Sequence, residues 1–492
     1  MKRFHPIEPI LFGLLASWAV ASFFVRQSNL ALYQNMNVLD AAGYLVVFIR
    51  EIWPNLLGWS SAIWGSIFYA TTSGALTSVL GVAAAFVYKR LGWTRRLFVL
   101  ILLTFWAFAL FLLNFKGFSP LGTALWSVCP LVFLLAVVTG RSDSRIGLTG
   151  GLTFVLPLLI IGVLWIGATA GAGATRTFLD VRDYVFWSNP AGKGLVNFYY
   201  KYTLYPAEAF KSLRQKTLKR VRIVQSADAS TAQRLEIAFL DQDYLPLPEG
   251  QDVDVTAVLK DDVVRFLAPN LVQKTDLAYL LTDPEFYLDE FSDKVDRNLP
   301  LRRLILVSLL IGLPTGLYLL IFCLFRGLFR FFLSEKKAAL GAGLCCLALG
   351  VILLAPIMYG RMAVTDDIKS MLSSDSWWSR TAGLRTVVEK EKDISGFDYS
   401  RFINSPHVAE RYWVAVALGA SSDARTIPDL QRMLYDPDIN VACMALRSLG
   451  IRRPPDALAQ VRRSLEATDH WYVQWYAYRA MRSLGWRQTV SK

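Results

Sequence analysis

Seven runs of nearly uninterrupted apolar residues, near 9–25, 61–88, 97–115, 120–139, 148–170, 304–325 and 338–359, dominate the pattern of the chain. Each is long enough for a helix to cross a hydrocarbon core of about 30 Å, which takes about 20 residues. Between the fifth and sixth runs the pattern changes. "RVRIVQ", "QRLEIAFL" and "QDVDVTAVLKDDVVRFL" alternate apolar and polar positions, which predicts a small α/β domain with about three strands. "DLAYLLTDPEFYLDEFSDKVDRNLP" then predicts a helix leading into the sixth run. Past residue 360 the pattern becomes one of short amphipathic helices. The expected architecture is a polytopic α-helical membrane protein of about seven transmembrane helices, with an α/β extracytoplasmic loop domain and a C-terminal α-solenoid. Its expected segments are 1–175, 176–302, 303–360 and 361–492.

The first run, "ILFGLLASWAVASFF", follows "MKR" and includes Ala19-Val20-Ala21, which a cleaved signal peptide would share. Its length and the lack of a polar stretch before Ser22 favour a retained anchor. The loops "YKRLGWTRR", "GRSDSR" and "FRGLFRFFLSEKK" are basic and alternate in position with the poorer "NFKGFSP". The positive-inside rule therefore puts the N-terminus in the cytoplasm, and the loop domain and C-terminus outside it. Residues 36–56 are apolar but carry Arg50 and Glu51, so an interfacial helix is expected there. In the second run Ala70, Gly74 and Ser78 recur every four residues, a small-residue face for close helix packing. Pro130, Pro157, Pro314 and Pro356 interrupt spans and predict kinks. None of the seven apolar cores contains an Asp, Glu, Lys, Arg or His, which argues against an ion-driven carrier.

Composition agrees with the membrane reading: 54% of residues are hydrophobic. The net charge of +13 would suggest nucleic acid if it were clustered in a soluble part. Instead the apolar segments 1–175 and 303–360 together carry a net +11, residues 176–302 a net −2 and residues 361–492 a net +4. The excess sits in short loops between spans, so no nucleic-acid partner is expected. Of five cysteines only Cys443 lies in a polar segment, and the three histidines are far apart in sequence. No disulfide framework, zinc centre, haem or other cofactor follows from them.

Within the loop segment, "NPAGKG" at 189–194 lacks the Ser or Thr that a phosphate loop places after its lysine. A turn with Asn189 capping the next helix is expected instead. Phe198, Tyr199, Tyr200, Tyr202 and Tyr205 form a ring-rich stretch suited either to the membrane surface or to a small core. Asp241 with Asp243, and Asp252 with Asp254, form two Asp-x-Asp pairs that could offer oxygen ligands to a divalent ion. With no histidine or basic residue expected to accompany them, Asp241 and Asp243 are weak metal candidates.

The C-terminal region repeats. "SPHVAERYWVAVALG" at 405–419 aligns with "DPDINVACMALRSLG" at 436–450 at a shift of 31. A further shift back places Met371, Leu372, Leu384 and Arg385 on Met433, Leu434, Leu446 and Arg447. A last unit, "DHWYVQWYAYRAMRSLGW", ends at Gly485. Each unit predicts two short helices joined by a turn whose aspartates cap, the second helix closed by its glycine. With "ALG" and "SLG" at helix ends and "DPD" between helices, this region resembles the HEAT-like family, in the short form of phycobilin-lyase-type repeats. The resemblance covers about a quarter of the chain and implies a stack of about four units that serves as a protein-binding scaffold. Trp471, Tyr472, Trp475, Tyr476, Tyr478 and Trp486 crowd the last unit, and six rings exceed what one helical face buries. Some are expected to face a partner or lipid.

The functional expectation is a non-enzymatic membrane subunit or assembly scaffold of the bacterial cytoplasmic membrane. Its partners would be extracytoplasmic or membrane proteins of a multi-subunit complex, together with the bilayer. The competing expectations are a permease or channel subunit and a metal-dependent lipid- or glycan-modifying enzyme built on Asp241 and Asp243.

Overall fold

The computed structural model describes residues 7–49, 52–91, 94–139, 148–170, 173–225, 229–268 and 271–489. The chain forms two compact units. One comprises Met1–Arg145, Tyr202–Cys323 and Arg487–Lys492, the other Ile146–Lys201 and Leu324–Trp486.

The first unit begins with α1 (Ile7–Ala41), α2 (Trp53–Leu57), α3 (Trp59–Arg90), α4 (Arg95–Asn114) and α5 (Pro120–Thr139). The second opens with α6 (Leu148–Thr169), α7 (Gly173–Asp180), a π-helical turn at Val181–Phe186 and α8 (Pro190–Tyr202). Back in the first unit come α9 (Leu204–Phe210), β1 (Lys219–Gln225), α10 (Ala229–Asp241), β2 (Tyr244–Pro246), β3 (Val255–Lys260), β4 (Val263–Ala268) and β5 (Leu271–Asp276). They are followed by α11 (Leu277–Thr282), α12 (Pro284–Val295), α13 (Leu299–Val307), a second π turn at Ser308–Gly312 and α14 (Leu313–Phe329). The chain is mostly helical, and among the described residues seven helical stretches are long and apolar enough to cross a membrane. They are Ile7–Ala41, Trp59–Lys89, Arg95–Asn114, Pro120–Thr139, Leu152–Thr169, Leu299–Phe329 and Glu335–Met362, each overlapping one apolar run.

Small residues set the contact between α1 and α3. A Cβ on Gly74 would fall 2.9 Å from the Cβ and Oγ of Ser17, and one on Gly13 would fall 2.2 Å from Ser78 Oγ. Ala70 and Ser78 are buried, and Ser22 and Ser66 share a hydrogen bond of 2.7 Å across the same seam. The face of α3 carrying Ala70, Gly74 and Ser78 thus lies where only small side chains admit a neighbouring helix. The π turn at Ser308–Gly312 precedes Pro314, whose missing N–H and bulky ring displace the normal ladder by one residue.

Residues 36–56, expected as one interfacial helix, are divided instead. Helix α1 runs to Ala41, a turn with Gly43 at φ +84° and Phe48 at φ +70° follows, and α2 forms after it. The apolarity of this stretch serves burial: Tyr44, Val46, Val47 and Phe48 are all buried. Tyr44 donates its hydroxyl to Pro246 O at 2.9 Å, and the Gln488 side chain pairs with both backbone groups of Leu45 at 3.1 and 2.8 Å. Arg50 and Glu51 lie outside the described residues.

The sheet has five strands in the order β2-β1-β3-β4-β5, β1 being parallel to β2 and β3 and the rest antiparallel. Asp261 and Asp262, at φ +51° and +57°, make the tight turn between β3 and β4. The core gathers Val255, Ala257, Val264 and Phe266 with Phe291 of α12. "QRLEIAFL", expected as a strand, lies inside α10. Leu235 and Phe239, four apart, bury one helical face, and the local alternation of Arg234, Leu235, Glu236 and Ile237 imitates a strand.

Candidate functional site: the inner face of the helical repeats

The second unit continues with α15 (Glu335–Met362) and then four helix pairs. These are α16 (Ile368–Ser373) with α17 (Trp377–Glu389), α18 (Ser400–Ile403) with α19 (Val408–Ala420), α20 (Ile427–Arg432) with α21 (Ile439–Arg452), and α22 (Ala457–Glu466) with α23 (Trp471–Ser483). The 31-residue register has a physical cause. Arg380 donates to Ser374 O at 3.0 Å, Arg411 to Ser405 O at 2.7 Å, and Gln474 to Thr468 O at 2.7 Å. Each side chain reaches six residues back and clasps the turn that opens the second helix of its pair. Ion pairs tie successive pairs together: Arg380 to Glu410 at 2.6 Å, and Arg411 to both oxygens of Asp436 at 2.7 and 3.1 Å.

The glycines at the repeat ends act through packing. A Cβ on Gly419 would lie 2.4 Å from Ser448 Oγ, and one on Gly450 would lie 3.1 Å from Ala480 Cα. Gly450 therefore lets α23 approach α21 and does not end the helix, as the sequence had suggested. Helix α21 runs on to Arg452 and closes three residues past Gly450 at Arg453, which adopts the left-handed conformation at φ +51°.

The second helices α17, α19 and α23 share an inner face, and the protein's own chain lies on it. Asp180 accepts 2.6 Å from Arg385 on α17 and 2.8 Å from Arg361 at the end of α15. Asp183 accepts 2.8 Å from Arg182 and 2.7 Å from the indole N–H of Trp413 on α19, with Arg385 3.7 Å away. Arg361 also donates to Ala168 O. Asp180, Arg182 and Asp183 are 1%, 5% and 0% exposed, so these charges hold one another with almost no water.

Aromatic rings complete the enclosure. The Arg182 guanidinium lies between the rings of Trp187 and Tyr412, 4.2 and 4.0 Å from their centroids. Burial opposes its charge, but the Asp183 carboxylate and Tyr412 outweigh burial and raise its pKa. Tyr184 stacks on Trp378 at 5.5 Å, and burial raises the pKa of its hydroxyl. At the far end of α8, Tyr200 packs against Tyr472 at 4.5 Å and its carbonyl accepts 2.6 Å from the Trp471 indole. Residues Asp180 to Tyr200 thus run from α17 past α19 to α23.

"NPAGKG" proves to be the hinge of this segment. Asn189 Oδ1 accepts 2.8 Å from Gly192 N at the start of α8, as expected. A Cβ on Gly192 would fall 2.2 Å from Phe186 O, so this glycine admits the close approach of α8 to the π turn.

The six aromatic candidates of the last unit divide between core and surface. Tyr478 is 1% exposed and packs on Trp486 at 5.9 Å. Trp471, Tyr472, Trp475, Tyr476 and Trp486 are half-buried. Trp471 and Tyr472 meet Tyr200, whereas Trp475 lies under the Arg479 guanidinium at 4.8 Å. From the ring-rich stretch, Tyr200 is thus a partner of the last unit. Of the stretch's other members, Tyr205 is buried in the first unit.

His470 caps α23 by accepting 3.2 Å from Tyr472 N through Nδ1, a role open only to the neutral ring. Burial pushes its pKa down to about 4. A depressed folded pKa means that the unfolded chain takes up the proton first. The stabilisation is therefore complete above about pH 6.5 and is lost as the pH falls towards 4, at a cost of about 2 kcal/mol. His470→Asn, which keeps a capping oxygen, is expected to unfold with a midpoint that no longer falls over that window. Tryptophan fluorescence during unfolding at pH 7 and pH 4.5 checks this.

The aspartate pairs enter ion pairs with basic residues, contrary to the expectation that none would accompany them. Asp254 is bound by Lys216 at 2.7 Å and Arg220 at 3.3 Å, Asp252 faces Arg220 at 3.4 Å, and Asp241 faces Arg487 at 3.3 Å. Asp243 sits at φ +59° in the turn between α10 and β2. Among the described residues no group of three or more His, Cys, Asp or Glu side chains could hold a metal ion. Sequence reasoning missed Asp180, Arg182, Asp183 and Arg385. Their signal was "DVRD" amid aromatic residues, charges that only a distant partner makes buriable.

Residues 400–482 match the family model for HEAT repeats. This part of the chain is a HEAT-repeat stack, a helical scaffold of the kind used in protein interactions. No curated protein and no solved structure matches the chain.

Proposed function

We propose that the protein is a non-enzymatic integral membrane subunit or assembly scaffold of a bacterial cytoplasmic-membrane complex. Its HEAT repeats would hold extracytoplasmic or membrane protein partners, with the N-terminus in the cytoplasm and both soluble parts on the outer side. The observation that carries this reading is the buried union of the repeats with residues 180–201 and the end of α15. Asp180 and Asp183 fix the repeats to segments that flank two of the apolar helices, which supports the reading that a partner of the stack would be held at the bilayer those helices are proposed to cross. The basic loops support the orientation, and the match to HEAT repeats supports protein partners.

Purification of the full chain in mild detergent, followed by mass spectrometry of what stays bound, tests the reading. Companions in fixed proportion are expected, and deletion of residues 400–482 is expected to release them while the protein remains in the membrane fraction. A protein that purifies alone, or companions retained by the deleted form, would overturn it.

A further inference from the structure

The first unit contains an open cavity of about 120 Å³ between α1 and the chain that leads into the sheet. At about 10–15 Å³ for each water a cavity can hold, this space takes roughly eight to twelve water-sized atoms. One wall is largely apolar, with Leu32, Met36 and Leu39 of α1 and Phe48, and with Ser28 and Asn35 of α1 among them. The opposite wall carries Lys216, Thr217 and Arg220, with Glu208 and Asp254 beside them.

The hydrogen bonds of that wall do not balance. Asp254 already accepts from Lys216 Nζ at 2.7 Å, from Arg220 N at 2.9 Å, and from Arg220 Nε and Nη2 at 3.3 and 3.4 Å. This saturates its oxygens and holds its pKa below the usual carboxylate range in spite of burial. Arg220 spends Nη1 on Asp252 O at 2.9 Å, and Glu208 is engaged by Lys211. Lys216 has three N–H donors and uses one, and Arg220 keeps an N–H on Nη2. Thr217 Oγ1 is buried and has no partner. Arg220 Nη1 also reaches Asp252 Oδ2 at 3.4 Å, so the two cations face two carboxylates, and N–H donors rather than charge remain for whatever enters.

An apolar wall opposite a surplus of N–H donors fits a strong hydrogen-bond acceptor carried on a short apolar chain. We propose that this cavity binds a small carboxylate bearing a short apolar chain, its oxygens on Lys216, Arg220 and Thr217 and its carbons against Leu32, Met36 and Phe48. Lys216 would orient the head group without releasing Asp254, because the two use different N–H groups. A neutral alcohol of the same length offers those donors one weaker acceptor oxygen, and an ammonium offers none. This inference is independent of the scaffold reading.

The probe is a terminally trifluorinated hexanoate, observed by fluorine NMR with the full chain in lipid nanodiscs and empty nanodiscs as the blank. Line broadening above the blank is expected, reversed by hexanoate but not by hexanol or hexylamine. Leu32→Trp, which fills the apolar wall, is expected to weaken binding about tenfold or more, and Thr217→Val about threefold. Thr217→Val changes neither charge nor size appreciably and serves should Leu32→Trp not fold. Broadening no greater than in empty nanodiscs, equal displacement by hexanol, or an affinity unchanged in both variants would overturn the proposal.

Discussion

Replacing Asp183 by alanine is expected to loosen the HEAT repeats from the segment that crosses them, at a cost of about 3–5 kcal/mol. The carboxylate is 0% exposed and joins three groups at once: Arg182 at 2.8 Å, the Trp413 indole at 2.7 Å and Arg385 at 3.7 Å. Without it, Arg182 keeps its positions over Trp187 and Tyr412 but loses its counter-charge in a place water hardly reaches. Arg385 retains Asp180, so the damage centres on Arg182 and α19. Asp183→Asn keeps an acceptor for Trp413 but not the charge, and should fall between wild type and alanine. Urea unfolding followed by tryptophan fluorescence measures the loss, and limited proteolysis should cut residues 181–201 in the alanine variant first. A midpoint within experimental error of wild type would show that the network contributes little.

Gly192→Ala and Gly194→Ala are expected to act in opposite directions although they lie in one turn of α8. At Gly192 a methyl group would meet three backbone atoms of Phe186 at 2.2 to 2.8 Å, none of which can rotate away as a side chain does. Helix α8 must then lift from the π turn, at a cost of about 3 kcal/mol. At Gly194 nothing lies within 4 Å. There alanine lowers the entropy of the unfolded chain and suits the helix better, a gain of about 0.5–1 kcal/mol. The pair shares local sequence and helix propensity, so the difference between their unfolding midpoints isolates the contact with Phe186. Equal effects would mean that α8 is not held as closely as the structure has it.

The first prediction rests on contacts far apart in sequence, and that separation marks what was legible. The seven apolar helices could be read directly, because a span is defined by composition over about 20 consecutive residues. The repeats were legible at their 31-residue spacing because successive units reuse local devices, the clearest in the first two pairs. Arg380 and Arg411 sit at equivalent positions and clasp equivalent turns. Helix α10 was misread because four alternating residues satisfy either period, and only the four-residue spacing of Leu235 and Phe239 against the sheet decides. The stretch 36–56 was misread because apolarity alone does not say whether its cover is lipid or protein.

The sequence by itself determined the elements whose cause is local: apolar length, helical period, caps such as Asn189 over Gly192, and the repeated turn. Only the tertiary structure decided what lies on the inner face of the repeats. Beyond the neighbouring Arg182, burial of Asp180 and Asp183 rests on Arg361, Arg385 and Trp413, which lie some 180 to 230 positions further along the chain. A charged residue carries no mark in its own neighbourhood of the distant partner that makes its burial affordable, so "DVRD" reads as a surface stretch until the fold brings those partners to it.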